Sequence, residues 1–257
     1  MAPGKRLPGI RQVPIEVAVF SSQEALRAEV LGASRIELNA AGSYEQGGLT
    51  PSVSELVKLK GKRQIAASIM IRPRGGDFEY QAQELALMIV AICRFKASGA
   101  MDATRGDRFV FGALKANGGR LEIDEVVCEA LLAVARPFEC VFHRAVDAII
   151  EQGQGVEALR QLAALGFAAV LTAGGKGSCV DNCDRLNRLC HGSAGLDVIV
   201  GGGLRSHNGE GLAAQLGVYD SLMLHSAAVA MDDGQTWAMD DDEVQRLAIM
   251  AGQIEPA

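Results

Sequence analysis

Residues 121–142 read LEIDEVVCEALLAVARPFECVF, a helical pattern that leads into a short apolar strand. Between Ile123 and Val134, apolar residues recur at spacings of three and four, so one face of the helix is apolar. Phe138 to Phe142 then has the length and the apolar character of a buried strand. These residues therefore predict one helix–strand unit of an α/β fold.

The same alternation of strand and helix continues in both directions along the chain. Strands are predicted at residues 15–20, 35–38, 64–71, 109–111, 138–142, 168–172, 197–200 and 221–224. Helices are predicted at residues 22–31, 80–98, 123–134, 155–165, 181–190, 208–216 and 241–254, with one more beginning at Thr50-Pro51-Ser52. Eight such units in 257 residues predict a single (β/α)8 TIM barrel. An open doubly wound sheet is the alternative, but Phe20-Ser21-Ser22-Gln23 does not match its Gly-x-Gly-x-x-Gly turn.

Composition restricts the partners of this barrel. Hydrophobic residues make up 49% and charged residues 22%, and we expect an N-terminal arm at residues 1–14 and one domain at residues 15–257. The net charge of −6 disfavours binding to nucleic acid. No long apolar run or signal-like segment is present, so we expect a cytoplasmic protein without membrane contact, with its six cysteines reduced.

Polar residues collect at the ends of the predicted strands, where barrels of this kind carry their active sites. We expect a catalytic group consisting of Glu16, Glu37, Arg72, His143, Arg144, Asp147 and His225. A carboxylate that points into a barrel needs a partner, and an arginine can bind it through two parallel hydrogen bonds. Arg72 and Arg144 are therefore the expected partners of the two glutamates. The alternative is that these charges form a structural salt-bridge layer.

Glycine-rich loops follow the sixth and seventh predicted strands. Their backbone N–H groups can approach an anion, and the loops after strands seven and eight commonly hold phosphate in this fold. The expected anion-binding residues are Arg74, Thr172, Gly174, Gly201, Gly202, Gly203 and Ser226. A run of three glycines is also compatible with a simple tight turn.

Several stretches of the chain resemble the CutC family of copper-homeostasis proteins. They are Ile15-Glu16-Val17, Ser34-Arg35-Ile36-Glu37-Leu38, Gly47-Gly48-Leu49-Thr50-Pro51-Ser52, Met70-Ile71-Arg72-Pro73-Arg74-Gly75-Gly76-Asp77-Phe78, Val110-Phe111-Gly112-Ala113-Leu114, Phe142-His143-Arg144-Ala145 with Asp147, Leu171-Thr172 with Gly174, and Gly201-Gly202-Gly203. The resemblance covers about residues 15–226. It implies the same barrel fold, a function in copper homeostasis, copper as the bound metal ion, and self-association into a homo-oligomer.

The chain departs from that family at two positions. The family usually has a cysteine after Glu-Val in the first strand and after Ile-Glu-Leu in the second, where this chain has Ala18 and Asn39. Cu(I) prefers thiolate or thioether ligands, so these substitutions argue against copper binding at that mouth. Cys179, Cys183 and Cys190 are the remaining candidates for a soft-metal site. The alternative is that they are small apolar residues of a helix.

Three functions remain open on this basis. The first is metal handling of the CutC type, which rests on the resemblance. The second is an enzyme acting on a small anionic or phosphorylated molecule, in which the arginines bind the anion while Glu37 and His143 transfer protons. The third is a regulatory or scaffolding barrel. A Schiff-base aldolase is excluded, because no predicted strand contains a lysine.

Overall fold

The computed structural model of the protein describes residues 13–216, 222–232, 234 and 236–252. Its strands are β1 (Ile15–Val19), β2 (Arg35–Leu38), β3 (Ala66–Met70), β4 (Arg108–Phe111), β5 (Leu114–Asn117), β6 (Arg120–Ile123), β7 (Glu139–Phe142), β8 (Ala169–Thr172), β9 (Asp197–Gly201), β10 (Leu222–Ser226), β11 (Val229–Asp232) and β12 (Thr236–Met239). Its α-helices are α1 (Ser22–Val30), α2 (Val53–Lys58), α3 (Ala82–Ala97), α4 (Glu125–Ala135), α5 (Val146–Glu151), α6 (Gly155–Leu165), α7 (Cys183–His191), α8 (Ser206–Leu216) and α9 (Asp241–Met250).

Eight of these strands form a closed parallel barrel in the order β1-β10-β9-β8-β7-β4-β3-β2. This confirms the predicted TIM barrel. Most of the predicted N-terminal arm, residues 1–12, lies outside the described residues, as do residue 221 of the eighth predicted strand and residues 253–254 of the last predicted helix.

Two hairpins and one short α-helix of the described residues were not predicted from the sequence. The chain forms two antiparallel hairpins, β5 with β6 and β11 with β12, and the short helix α5 precedes α6. In the first hairpin, Gly118 and Gly119 both adopt positive φ, which suits the two central residues of a tight hairpin turn. The remaining helices and the barrel strands lie within a few residues of their predicted positions.

The helices are fixed by caps and by their apolar faces. In α4, the carboxylate of Asp124 accepts a hydrogen bond from the backbone N–H of Val127, and Cys128, Leu131 and Ala135 are buried. Such an N-cap contributes about 0.5–2 kcal/mol, and burial of the apolar face adds to it. None of the helices in the described residues combines the length and hydropathy that a bilayer crossing needs.

The barrel interior is divided into an apolar part and a polar part. Apolar side chains inside the barrel form one cluster, made of Met70, Val110, Val141, Ala169, Leu171 and Ile199. Strand side chains alternate between the interior and the helix layer, so β1, β2 and β10 also send every second residue inward. The inward residues of those three neighbouring strands include Glu16, Glu37 and His225. These three residues form a buried polar cluster.

Candidate active site at the carboxyl ends of the strands

Glu16 lies deep in the barrel and is neutralised by Arg108. One carboxylate oxygen accepts hydrogen bonds from Ser68 Oγ at 2.6 Å and from Arg108 Nη2 at 3.2 Å. Burial by itself would raise the pKa of Glu16, but the hydrogen bond from His225 and the charge of Arg108 outweigh it and hold the pKa well below its usual value. Glu16 is therefore a carboxylate at neutral pH.

His225 is the residue that links the two glutamates. Its Nδ1 lies 2.9 Å from the second oxygen of Glu16, and its Nε2 lies 3.9 Å from Oε2 of Glu37. Burial opposes a charge on the imidazole, but the charge of Glu37 and the hydrogen bond to Glu16 prevail and raise the pKa of His225. The side chain can therefore hold a proton near neutral pH.

Glu37 presents a free oxygen to the interior of the mouth. Its Oε2 accepts a hydrogen bond from Asn39 Nδ2 at 3.1 Å, whereas its buried Oε1 has no partner among the described residues. Burial raises the pKa of Glu37 above its usual value. Asn39 Oδ1 is likewise buried without a partner and lies against Gly48, where an added Cβ would come within 2.2 Å of it. Glycine is therefore required at position 48.

His143 lies across the mouth in an apolar environment. Its ring packs 4.8 Å from the ring of Phe78, and its Nδ1 accepts a hydrogen bond from the backbone N–H of Ala145 at 3.4 Å. Burial, assisted by the charge of Arg72, lowers the pKa of His143 to about 3. Because Nδ1 is the acceptor, Nε2 carries the proton of the neutral ring, and it has no partner among the described residues.

The two arginines expected to pair with the glutamates do not do so. Arg72 donates to the carbonyl oxygens of Gln46 and Gly76, and its guanidinium lies 4.7 Å from the ring centroid of Phe78. Arg144 donates to Asp147 at 2.8 Å. That predicted pairing is wrong, because Arg108 supplies the buried positive charge instead. Arg108 stands one residue before the predicted start of the fourth strand, so the predicted pattern assigns it no inward direction.

Asp147 organises the loop after β8. Its Oδ1 accepts hydrogen bonds from the hydroxyl of Thr172 at 2.5 Å and from the backbone N–H of Ala173 at 3.1 Å, and its Oδ2 accepts from Arg144. Burial raises the pKa of Asp147 despite these donors. The residue therefore positions the loop and the arginine beside the cavity.

The strand ends surround a cavity of about 840 Å³. Of the residues predicted for the site, those that line it are Glu37, Arg72, His143, Arg144, Asp147, Gly202, Gly203, His225 and Ser226. Those that do not line it are Glu16, Arg74, Thr172, Gly174 and Gly201. Glu16 lies beneath His225, while Arg74 binds Glu84 and Asp77 in its own loop.

Sequence reasoning missed several residues of the lining. Phe78, Tyr44, Lys176 and Arg205 come from loops that follow the strands. Phe78 is the last residue of the stretch Met70 to Phe78 that resembles the CutC family, so its place near Arg72 indicated a position at the cavity. The other three carried no local pattern that pointed to the cavity.

The carbonyl groups of the turn formed by Gly202, Gly203 and Leu204 are occupied by protein donors. Their oxygens accept hydrogen bonds from Cys179 N at 2.8 Å, Asn208 Nδ2 at 3.0 Å and Ser226 Oγ at 2.8 Å. In the part of the chain that the structure describes, the N–H groups of the two glycines donate to no protein acceptor. Free N–H groups at a cavity wall can bind an anion.

The three candidate metal-binding cysteines do not converge. Cys179 precedes α7, which begins only at Cys183, so the two do not share a helix face as expected. All three are buried in the apolar layer outside the barrel, and burial raises the pKa of Cys179 and Cys190 to about 11. Across residues 13–216, 222–232 and 236–252, the one group of donors close enough to hold a metal ion is Glu16, Glu37 and His225.

Comparison with known proteins identifies the family. The model of the CutC family matches residues 13–229 of this chain. The chain belongs to the CutC family. A human protein named copper homeostasis protein cutC homolog is 39% identical over 195 residues, which are 76% of this chain and 66% of the human protein. The chain thus spans slightly less than two thirds of that relative's length. A CutC protein of Treponema denticola is 34% identical over 210 residues, which are 81% of this chain and 80% of the relative.

Solved structures agree with this assignment. A crystal structure of the copper homeostasis protein CutC from Streptococcus agalactiae superposes with a TM-score of 0.71 at 26% identity, covering 83% of this chain and 98% of that chain. Oxaloacetate acetylhydrolase in complex with oxalate gives a TM-score of 0.53 at 12% identity, covering 84% of this chain and 76% of that chain. The second likeness shows the barrel fold alone.

Proposed function

We propose that this CutC family protein binds a small anionic molecule in the cavity at the carboxyl ends of the strands and acts on it by acid–base chemistry. The observation that carries this proposal is a set of four buried polar atoms that have no hydrogen-bond partner among the described residues and that belong to residues lining one cavity. They are Glu37 Oε1, Asn39 Oδ1, Arg72 Nε and His143 Nε2. An unpaired buried polar atom costs about 1–3 kcal/mol, which a bound ligand can return.

The charge at the rim supports an anionic ligand. Arg144, Lys176 and Arg205 line the cavity on the side of the turn formed by Gly202 and Gly203. Positive side chains next to free N–H groups favour a carboxylate or a phosphate group. Arg72 adds a cation on the opposite wall, where its carbonyl partners fix its position.

Glu37 and His225 are the proposed proton-transfer pair. Burial raises the pKa of the carboxyl group of Glu37, and the neighbouring carboxylates raise the pKa of the imidazole of His225, so the two groups compete for one proton. Groups of this kind are suited to general acid and base roles. His143 stays neutral and would donate a hydrogen bond from Nε2 to the ligand.

We further propose that the process served is copper homeostasis, because the human and mouse relatives carry that name. The donors at the mouth fit Cu(I) poorly, since Ala18 and Asn39 supply no thiolate and, among the described residues that line the cavity, Met70 alone carries a sulfur atom. We therefore expect the contribution to copper homeostasis to come from the small-molecule site.

We also propose that the protein is homo-oligomeric and cytoplasmic. Gel filtration would test the first property, and cell fractionation would test the second.

The test uses the only tryptophan of the chain as a reporter. Trp237 packs with its ring 4.8 Å from that of Tyr44, a residue that lines the cavity. Its fluorescence should change when inorganic phosphate or short dicarboxylates bind. His143→Gln should weaken the binding at least about tenfold, which corresponds to the loss of one buried hydrogen bond. Arg160→Gln, on the exposed face of α6, is the matched control and should bind like the native protein.

The same protein should be titrated with Cu(I) against a competing chelator under reducing conditions. We expect no tight one-to-one binding. Tight Cu(I) binding together with no response to any anion would replace this proposal by direct metal handling.

A further inference from the structure

Donor atoms from three neighbouring strands meet at the floor of the cavity. One ligand atom each from Glu16, Glu37 and His225 lie within 4.8 Å of one another. We propose that this cluster is a binding site for a divalent transition-metal cation, with Glu37 and Nε2 of His225 as its direct ligands and Glu16 behind the histidine. The site is a resident centre of the barrel, distinct in chemistry from a thiolate site for Cu(I).

The unpaired oxygen of Glu37 is the independent sign of a missing ligand. The residue is 4% exposed, and its Oε1 has no hydrogen-bond partner among the described residues although the residue lines the cavity. The other oxygen is held by Asn39 Nδ2, which fixes the orientation of the carboxyl group. A carboxylate held in this way offers a lone pair to a cation without having to break a protein hydrogen bond.

Glu16 has the position of a residue that orients a metal-binding histidine. Metal-binding histidines usually donate their other ring N–H to a carboxylate, which fixes the ring and raises its basicity. Here Nδ1 of His225 lies 2.9 Å from Glu16 Oε1, so Nε2 is left for a metal ion. Both oxygens of Glu16 are already engaged, because Oε2 accepts from Ser68 and Arg108. Glu16 is therefore a positioning residue and not a direct ligand.

The spacing of the two direct ligands is compatible with one ion. Nε2 of His225 lies 3.9 Å from Oε2 of Glu37, the oxygen that also accepts from Asn39, and the free Oε1 belongs to the same carboxylate. Bonds from a zinc ion to nitrogen and oxygen are each about 2.0–2.2 Å, so two ligand atoms at the tetrahedral angle lie about 3.4 Å apart, and a shift of about half an ångström would bring these two to that spacing. The remaining coordination positions would face the cavity, where water or the bound molecule can occupy them.

The local charge also favours a cation. Arg108 balances Glu16, so that with His225 neutral the carboxylate of Glu37 is the remaining negative group at the floor. One carboxylate oxygen and one imidazole nitrogen suit divalent ions such as Zn²⁺ or Mn²⁺ better than Cu(I). The cation would take the place of the proton that the pair otherwise shares. The inference uses the residues of the proposed function but does not depend on any anion being bound.

The experiment is calorimetric titration of the full chain with ZnCl₂ and with MnCl₂, after dialysis against a chelator and in a buffer without phosphate. We expect one equivalent to bind. Glu37→Gln should weaken this binding at least about tenfold, and His225→Gln should do the same. Glu151→Gln, another carboxylate that lines the cavity, is the matched control and should bind like the native protein. Circular dichroism of each variant confirms that the barrel is folded.

Two outcomes would overturn the metal site. They are no binding of either ion, and equal binding by Glu37→Gln, in which case loss of binding in Cys183→Ser would place the ion at the cysteines. The two proposals can fail separately, because anion binding is followed by fluorescence in metal-free protein. Phosphate binding without Zn²⁺ binding would leave only the proposed function, and Zn²⁺ binding without any anion response would leave only the metal centre.

Discussion

The two buried histidines on opposite sides of the barrel mouth have pKa values that are shifted in opposite directions. On the side of β10, β1 and β2, His225 lies between two carboxylates, and its pKa is raised. On the side of β4 and β7, His143 lies between the rings of Phe78 and Phe142 and near the charge of Arg72, and its pKa falls to about 3. Both residues are at least nine-tenths buried.

This difference follows from the neighbours and not from the depth of burial. Burial opposes the charged form of both rings, so only nearby charges can separate their behaviour. The carboxylate side can hold a proton or a cation, whereas the aromatic side provides a neutral hydrogen-bond donor. One cavity therefore contains two groups of the same residue type with separate chemical roles.

Removal of Arg108 from the carboxylate side should lower the free energy of unfolding more than the other changes below. Arg108→Met leaves Glu16 buried without its cation, and we expect a loss of about 3–5 kcal/mol in the free energy of unfolding. Urea denaturation followed by circular dichroism measures this value. The double variant Glu16→Gln with Arg108→Met should recover part of the loss. Arg160→Met, which removes an exposed pair, should cost at most about 1 kcal/mol, and an equal loss in both arginine variants would contradict the account.

A methyl group at Gly112 should disturb the aromatic side. An added Cβ would lie 2.7 Å from Nδ1 of His143 and 3.0 Å from the ring of Phe142, so Gly112→Ala should cost about 1–3 kcal/mol through overpacking. Ligand binding should weaken as well, because the ring must move. Gly211→Ala is the control, since Gly211 lies in α8 with open space around it and alanine favours a helix. Unchanged stability of Gly112→Ala would mean that the ring is loosely held.

The pH dependence of stability should separate the two histidines. The pKa of His143 is about 3 in the folded protein, whereas its ordinary value is 6.5. Between pH 3 and pH 6.5 the unfolded chain therefore binds more protons at this residue than the folded chain does. The contribution of His143 should therefore fall by about 1.4 kcal/mol for each pH unit as the pH decreases from 6.5. His225 has the opposite sign, and its contribution is lost as the pH rises through its raised pKa. The free energies of unfolding of the native protein and of His143→Gln should be measured from pH 7 to pH 5. The difference between the two should shrink toward low pH.

The mildest change should be a shift in the titration of His225. Glu37→Gln removes the charge that contributes most to raising the pKa of His225, so this pKa should fall while that of His143 stays low. Imidazole NMR signals recorded against pH, with His225→Gln for assignment, provide the measurement. A titration of His225 that is indifferent to Glu37→Gln would show that Glu16 alone controls the ring.

The fold could be predicted from the sequence because its signals are local. Periodic apolar faces such as that of Ile123 to Val134, and short apolar strands between them, recur often enough to define eight units. The hairpin of β5 and β6 was missed although Gly118-Gly119 is a usable turn signal, because its residues are mostly exposed and carry little apolar pattern. The positions of Glu16, Glu37, His143 and His225 at strand ends were also evident, since the carboxyl ends of parallel strands meet on one face.

The sequence by itself thus determined the barrel, the family resemblance and most of the polar residues at the mouth. Only the tertiary structure decided which of them pair. Arg108 and Glu16 are 92 residues apart in the chain, and Glu16 and His225 are 209 apart. No local pattern connects positions so distant, and the protonation of each group depends on distances and burial that exist only after the barrel has closed.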